Sequence, residues 1–168
     1  MRTEPKIKDL NVNVYSFTIE DVRFTIKTDR TFVMPETQSI NALDYTTIHH
    51  HVEHEVFFIT DGELYLNLKN DATVYSDCIV FLPAFLQHFS KASSLIYRFM
   101  LNYKKTTQTR SSSFYDLVEK TFSSSGIQTF KITDSITNYL RELDLLLKSN
   151  RIKKELRVTS LLTCIIME

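Results

Sequence analysis

The sequence predicts a mainly β fold followed by a helical appendage, and two patterns predict it. Up to residue 103, apolar side chains recur at every second position in short runs separated by turn signals, as in strands that bury one face. Beyond residue 113 they recur at every third or fourth position, the period of an amphipathic helix. Between the two regions lies KKTTQTRSSS, residues 104–113, a polar break that reads as a loop.

The β region divides as follows. Val12 and Val14, then Phe17 and Ile19, alternate with polar neighbours, and Val22, Phe24 and Ile26 do so again past Glu20-Asp21. Residues 10–33 therefore read as two or three strands, with a turn at Asp29-Arg30 and a short strand from Thr31 to Met34 stopped by Pro35. Residues 35–47 lack a period and read as loop with at most one short strand. Glu55 to Thr60 is β-branched and aromatic, and Asp61-Gly62 is a hairpin signal because glycine takes positive φ without strain. Glu63 to Lys69 alternates, Asn70-Asp71 turns, Thr73 to Tyr75 is a short strand and Ser76-Asp77 turns again. Cys78 to Leu82 is apolar throughout, as a strand covered on both faces would be. Ser94 to Tyr103 is the last strand. About eight to ten short strands at this spacing predict a sandwich or barrel.

The helical region follows its own signals. Phe114, Leu117, Val118 and Phe122 share one helical face, and Ser123 to Gly126 ends that helix. Gln128 to Ile132 is an extended connector. Thr133 or Asp134 can cap a helix running to about residue 149, with the stripe Ile136, Tyr139, Leu140, Leu143 and Leu147. Ser149-Asn150 breaks it. A last helix begins near Arg151 with a basic turn and a half that reads as a solvated face, and from Leu161 it is apolar almost all round. A helix apolar on every side needs a cover. The expectation is that a second copy or the remainder of the chain supplies it, with Leu143, Leu147, Leu161, Leu162, Ile165 and Ile166 as the candidate dimer interface. No glycine or basic residue closes this helix, so the natural chain is expected to continue past Glu168.

Composition limits the function classes. The chain has 168 residues, 43% of them hydrophobic, with 20 basic and 20 acidic side chains and zero net charge. That balance gives no electrostatic footprint for nucleic acid or an anionic membrane. Cys78 and Cys164 sit in apolar runs and read as buried thiols, without a disulfide framework or metal knuckle. No apolar run approaches a membrane span and no signal peptide is visible, so the expected location is cytoplasmic. With only Gly62 and Gly126 present, both are expected where φ must be positive. Phosphate loops, G-x-S-x-G and C-x-x-C are absent from the sequence.

The one concentration of chemistry is HHHVEHEVFFITDGELYLNLKNDATVYSDCIVFLPAFLQH, residues 49–88, which holds all five histidines. Residues two apart on a strand face the same way, so His49, His51 and Glu55 share a side and His88 can join them from another strand. Imidazole nitrogens with one carboxylate suit a divalent transition metal and equally suit a polar small molecule. Phe57 and Tyr97 are candidates to line such a pocket, and Phe99, Leu101 and Tyr103 fall on the side of Tyr97. His50 and His54 have the opposite parity and are expected to face solvent.

These residues carry a family resemblance. His49-x-His51-x-x-x-Glu55, followed by six residues and Gly62, resembles the first cupin motif, and Pro83-x-x-x-x-His88 resembles the second. Three glycines of the usual pattern are replaced, by Leu43, Asp77 and Phe85. The resemblance implies a cupin-like barrel, a double-stranded β-helix, over residues 1–103, with two to three C-terminal helices over 104–168. A cupin with such a tail resembles the N-terminal half of an AraC-type transcription regulator. That implies a small-molecule effector, a homodimer through the C-terminal helices and DNA binding only through a helix-turn-helix domain beyond residue 168. On this reading the chain is not an enzyme, has no catalytic residue and requires no cofactor. The alternative is a stand-alone metal-dependent cupin enzyme, a dioxygenase or isomerase, with His49, His51, Glu55 and His88 as ligands.

Overall fold

A computed structural model describes residues 13–28, 48–68, 71–93, 96–106, 113–123, 125–149 and 154–168. Nine strands and three helices lie among them: β1 (Asn13–Ile19), β2 (Val22–Thr28), β3 (His54–Ile59), β4 (Leu64–Leu68), β5 (Asp71–Tyr75), β6 (Cys78–Leu82), β7 (Phe89–Ala92), β8 (Ile96–Lys105), α1 (Ser113–Phe122), β9 (Gln128–Lys131), α2 (Asp134–Lys148) and α3 (Lys154–Met167). The strand at Thr31–Met34, the turn at Asp29-Arg30 and the loop 35–47 fall outside the described residues. Alternation, apolar runs and turn signals in the sequence located β1 to β6 and β8 closely, and Phe89–Ala92 is a strand they did not reveal.

All pairings are antiparallel. A six-stranded sheet runs in the order β1-β2-β8-β3-β6-β9, and a three-stranded sheet in the order β5-β4-β7. The sheets face each other across a core of Phe57, Ile59, Val80, Leu82 and Ile96 on one side and Leu64, Leu66 and Ala92 on the other. The described chain is mainly β, two antiparallel sheets packed face to face, with a helical C-terminal third.

Period two places the remaining residues of the large sheet on its outer face. Val56, Phe58, Phe81, Tyr97, Phe99 and Leu101 form a second core there with α1, α2 and α3. The connector expected at Gln128 to Ile132 becomes β9 and pairs with β6, so the helical region completes the sheet edge and shares one core with the barrel.

Thr133 caps α2 by accepting the Ile136 N–H at 3.2 Å. Lys154 donates to the Leu147 and Ser149 carbonyls at 3.1 and 3.0 Å, satisfying acceptors at the α2 C-terminus. Arg157 of α3 pairs with Glu142 of α2. These contacts fold α3 back along α2.

That packing corrects the dimer expectation. Leu143, Leu161, Leu162 and Ile165 are buried inside the chain itself, and Leu147 and Ile166 are half-buried against the same core. The apolar end of α3 is covered by the chain's own sheet and α2, because the outer face of the large sheet needs a cover as much as the helix does. Leu145 and Leu156 remain exposed at 70% and 79%.

Smaller corrections follow from local geometry. Gly62 has φ 75°, as the hairpin requires, but Gly126 does not take a positive φ. Cys164 is exposed and Cys78 half-buried, because Cys164 falls on the side of α3 turned from the sheet.

Candidate functional site

The site is assembled by backbone pairing before any side chain contributes. His49 and His88 form an isolated antiparallel bridge, with N–H donated in both directions at 3.0 and 2.9 Å. The turn after β6 is held to the same segment, for Phe85 N–H donates to the His51 carbonyl at 2.7 Å. These bonds bring three histidine rings together. Their centroids lie 4.6 Å apart for His49–His88, 4.8 Å for His49–His51 and 5.6 Å for His51–His88.

Glu55, the inward-facing residue at the start of β3, stands beneath them with 1% of its surface exposed. Its Oε2 lies 2.8 Å from His88 Nε2 and 3.6 Å from His51 Nε2. Arg98 Nη1 reaches Glu55 Oε1 at 3.4 Å. The expected set His49, His51, Glu55 and His88 is therefore brought together. Arg98 is an addition that sequence reasoning missed. The signal was available, since Arg98 is a basic residue facing opposite to Tyr97 and Phe99 within the apolar stretch Ile96–Leu101 of β8.

Electrostatics tie these groups together. Burial works to raise the Glu55 pKa, but contact with His88 and the Arg98 guanidinium outweigh it and hold the carboxyl below its usual range. Burial works against charge on His88, but the Glu55 carboxylate and the Leu86 carbonyl outweigh it and raise its pKa. Burial dominates at His51 and lowers its pKa.

A metal ion is compatible with this arrangement on an independent observation. His51 Nε2, Glu55 Oε2 and His88 Nε2 are buried and none makes an aligned hydrogen bond. The 2.8 Å Glu55–His88 contact is therefore close but poorly directed. Ring nitrogens of His49, His51 and His88 all lie within 4.8 Å of one another. His88 Nδ1 sits 2.9 Å from the Leu86 carbonyl, which fixes Nδ1 as the protonated nitrogen and turns Nε2 into the site. A backbone carbonyl behind a histidine ligand is a common support for metal binding. Buried polar atoms that converge without satisfying one another form a donor set that fits a divalent cation.

Other expected residues lie elsewhere. Phe57 faces the barrel interior but is fully buried in its core, below the histidines and not on an open wall. Tyr97 is on the opposite face of the sheet, against α2, where burial and Asp144 raise its pKa. It cannot line the histidine site, because neighbouring residues on a strand point to opposite sides. His54 does not face solvent as expected. It is half-buried, stacks on Phe81 and Tyr103 at 5.0 and 5.5 Å, and its Nδ1 accepts the Ala84 N–H at 3.2 Å. The docking of α1 over this face covers it, which strand parity alone does not show. His50 is exposed.

The replaced glycines keep the glycine conformation. Asp77 has φ 48° and Phe85 has φ 64°, both left-handed, at two of the three positions where the cupin pattern carries glycine. The third, Leu43, lies outside the described residues. The turn geometry is thus retained without the residue that adopts it most easily.

No family model matches the sequence, and no curated protein matches it at a significant level. Solved structures do resemble it. An RmlC-like cupin family protein with a double-stranded β-helix fold from Methanocaldococcus jannaschii is 19% identical, over 61% of this chain and 86% of that one, with a TM-score of 0.31. A cupin-2 domain protein from Shewanella frigidimarina is 13% identical, over 55% and 79%, with a TM-score of 0.32. Apo ToxT from Vibrio cholerae is 13% identical, over 93% of this chain and 54% of that one, with a TM-score of 0.42.

Proposed function

We propose that the chain is the ligand-sensing and dimerisation portion of an AraC-type transcription regulator. The observation that carries this reading is the double use of β3. Glu55 on its inner face holds the His51, His88 and Arg98 side chains, while His54, Val56 and Phe58 on its outer face pack beneath the helices. A small polar effector at the barrel mouth displaces or recruits Glu55, and the strand that moves is the floor on which α2 and α3 rest. The effector acts only through a difference in its affinity for the two arrangements. Dimerisation uses the outward side of α2 and α3, where Leu145 and Leu156 stand exposed. DNA is read by helix-turn-helix motifs encoded after Glu168. The direct test is the reading frame beyond that codon. Two such motifs within roughly a hundred residues are expected, and an immediate stop codon would overturn the proposal.

A second reading, a metal-dependent cupin enzyme, is favoured by the unsatisfied atoms of His51, Glu55 and His88. His49, His51, Glu55 and His88 would hold a divalent transition ion, which when bound supplies Lewis-acid polarisation of a substrate or activation of oxygen or water. Arg98 would orient an anionic substrate or keep Glu55 ionised. Turnover that requires both the ion and His88, in a chain with no DNA-binding continuation, would favour this reading over the first.

A further inference from the structure

The outer face of the large sheet does not meet the helices everywhere. A cavity of about 210 Å³ remains between them. Its walls are aromatic: Phe58, Phe81, Phe99, Phe122 and Phe130 all contribute, with Ile165 closing from α3. Phe58 and Phe99 pack at 5.0 Å between centroids, and Phe81 and Phe122 stack at 4.9 Å. This cavity is separated from the histidine site by the thickness of the sheet, since Val56 and Phe58 line it while Glu55 faces the barrel.

We propose that this cavity is a binding site for an uncharged ring compound of one or two rings. Size supports it, for an apolar cavity of about 150 Å³ takes up benzene, and this one, open to solvent at the Lys131–Glu168 margin, is larger. Charge supports it too. Among the described residues, the exposed margin of the cavity carries one cation, Lys131, and one anion, Glu168, which favours neither sign. The chemistry of the described walls suits a ring compound better than a peptide segment. Thr121, the remaining polar side chain in the lining, already donates to the Leu117 carbonyl at 2.8 Å. Entering backbone would bring N–H and C=O groups that these walls leave unsatisfied, which is costly. A hydrocarbon or weakly polar ring brings none. The bound ring would touch β3, β6 and β8 and all three helices, so it would couple sheet to helices independently of the histidines.

Indole and naphthalene are the probes, added to the full chain and followed by calorimetry and by amide chemical shifts. Saturable binding of either is expected, with shifts concentrated at Phe58, Phe99 and Ile165 and not at His49 or His88. Thr121→Phe and Ile166→Phe should each weaken binding at least tenfold by filling the space, while the circular dichroism spectrum and cooperative urea unfolding stay those of the parent chain. Two variants guard against one that misfolds, and the cooperative unfolding transition reports whether the fold survives. No saturable binding of either probe, shifts confined to the barrel mouth, or full affinity in both folded variants would overturn the proposal. So would a structure of the longer natural protein with a downstream side chain filling the cavity.

Discussion

Glu55 Oε2 and His88 Nε2 meet at 2.8 Å inside the barrel, both almost fully buried, with Arg98 on the far oxygen of the same carboxylate. A buried ion pair adds little over an apolar replacement, but removing one partner strands the other. Glu55→Gln keeps the shape and removes the charge. It is expected to cost about 3–5 kcal/mol, seen as a lower urea midpoint at unchanged m-value. A loss below about 1 kcal/mol would mean that the carboxylate is not ionised in the fold.

The same pair sets a pH dependence in metal-free protein. The depressed pKa of Glu55 contributes stability that is present above its unfolded value and is lost as pH falls through the folded one. The raised pKa of His88 contributes stability that is full below its unfolded value and is lost as pH rises through the folded one. Both contributions hold between the ordinary carboxylate and imidazole values, roughly pH 4.5 to 6.5. His51 and His54, lowered by burial, act the other way, because the unfolded chain takes up their protons first. The stability gap between native protein and Glu55→Gln should therefore be wider at pH 5.5 than at pH 8.5. A gap independent of pH would show that Glu55 does not support the His88 charge.

On the enzyme reading, elemental analysis after dialysis should find one divalent zinc or nickel ion per chain held at His49, His51, Glu55 and His88, and on the regulator reading little or none. His51→Ala and His88→Ala should each reduce affinity by tenfold or more, and His50→Ala, at an exposed position, should not. Because a proton on His88 competes with the ion, affinity should fall as pH drops. Equal affinity in all three variants would place the ion elsewhere.

Phe85 holds φ 64° and is 65% exposed. A side chain in the left-handed region costs about 1–2 kcal/mol, and glycine returns about 0.5–1 kcal/mol of that through its freer unfolded chain. Phe85→Gly should leave stability unchanged or raise it by up to about 1 kcal/mol, measured by thermal unfolding. A clear loss would show that the ring makes a contact worth more than the strain.

Burial of the helical leucines predicts a contrast. Leu162→Ala, at a fully buried position, should cost about 2–5 kcal/mol even in dilute monomer. Leu156→Ala, at 79% exposure, should change monomer stability by less than about 0.5 kcal/mol while weakening self-association in sedimentation. The reverse pattern would restore the buried leucines as the interface.

Local patterns in the sequence determined a good deal of this protein. Alternation at Val22–Phe24–Ile26 and Leu64–Leu66–Leu68, the Asp61-Gly62 turn and the Thr133 cap are decided by neighbours a few residues apart, and they located β2, β4, the hairpin and α2. The spacing of His49, His51 and Glu55 placed these side chains on one side of the chain for the same reason. Tertiary structure alone decided the rest. Arg98 joins Glu55 only because β8 lies beside β3, Tyr97 is turned away by that same pairing, and His54 is covered only once α1 docks. The fate of α3 shows the physical reason most clearly. Periodicity reports that an apolar surface must be covered, but which surface covers it depends on contacts between segments far apart in the chain, and here the protein's own sheet supplies them.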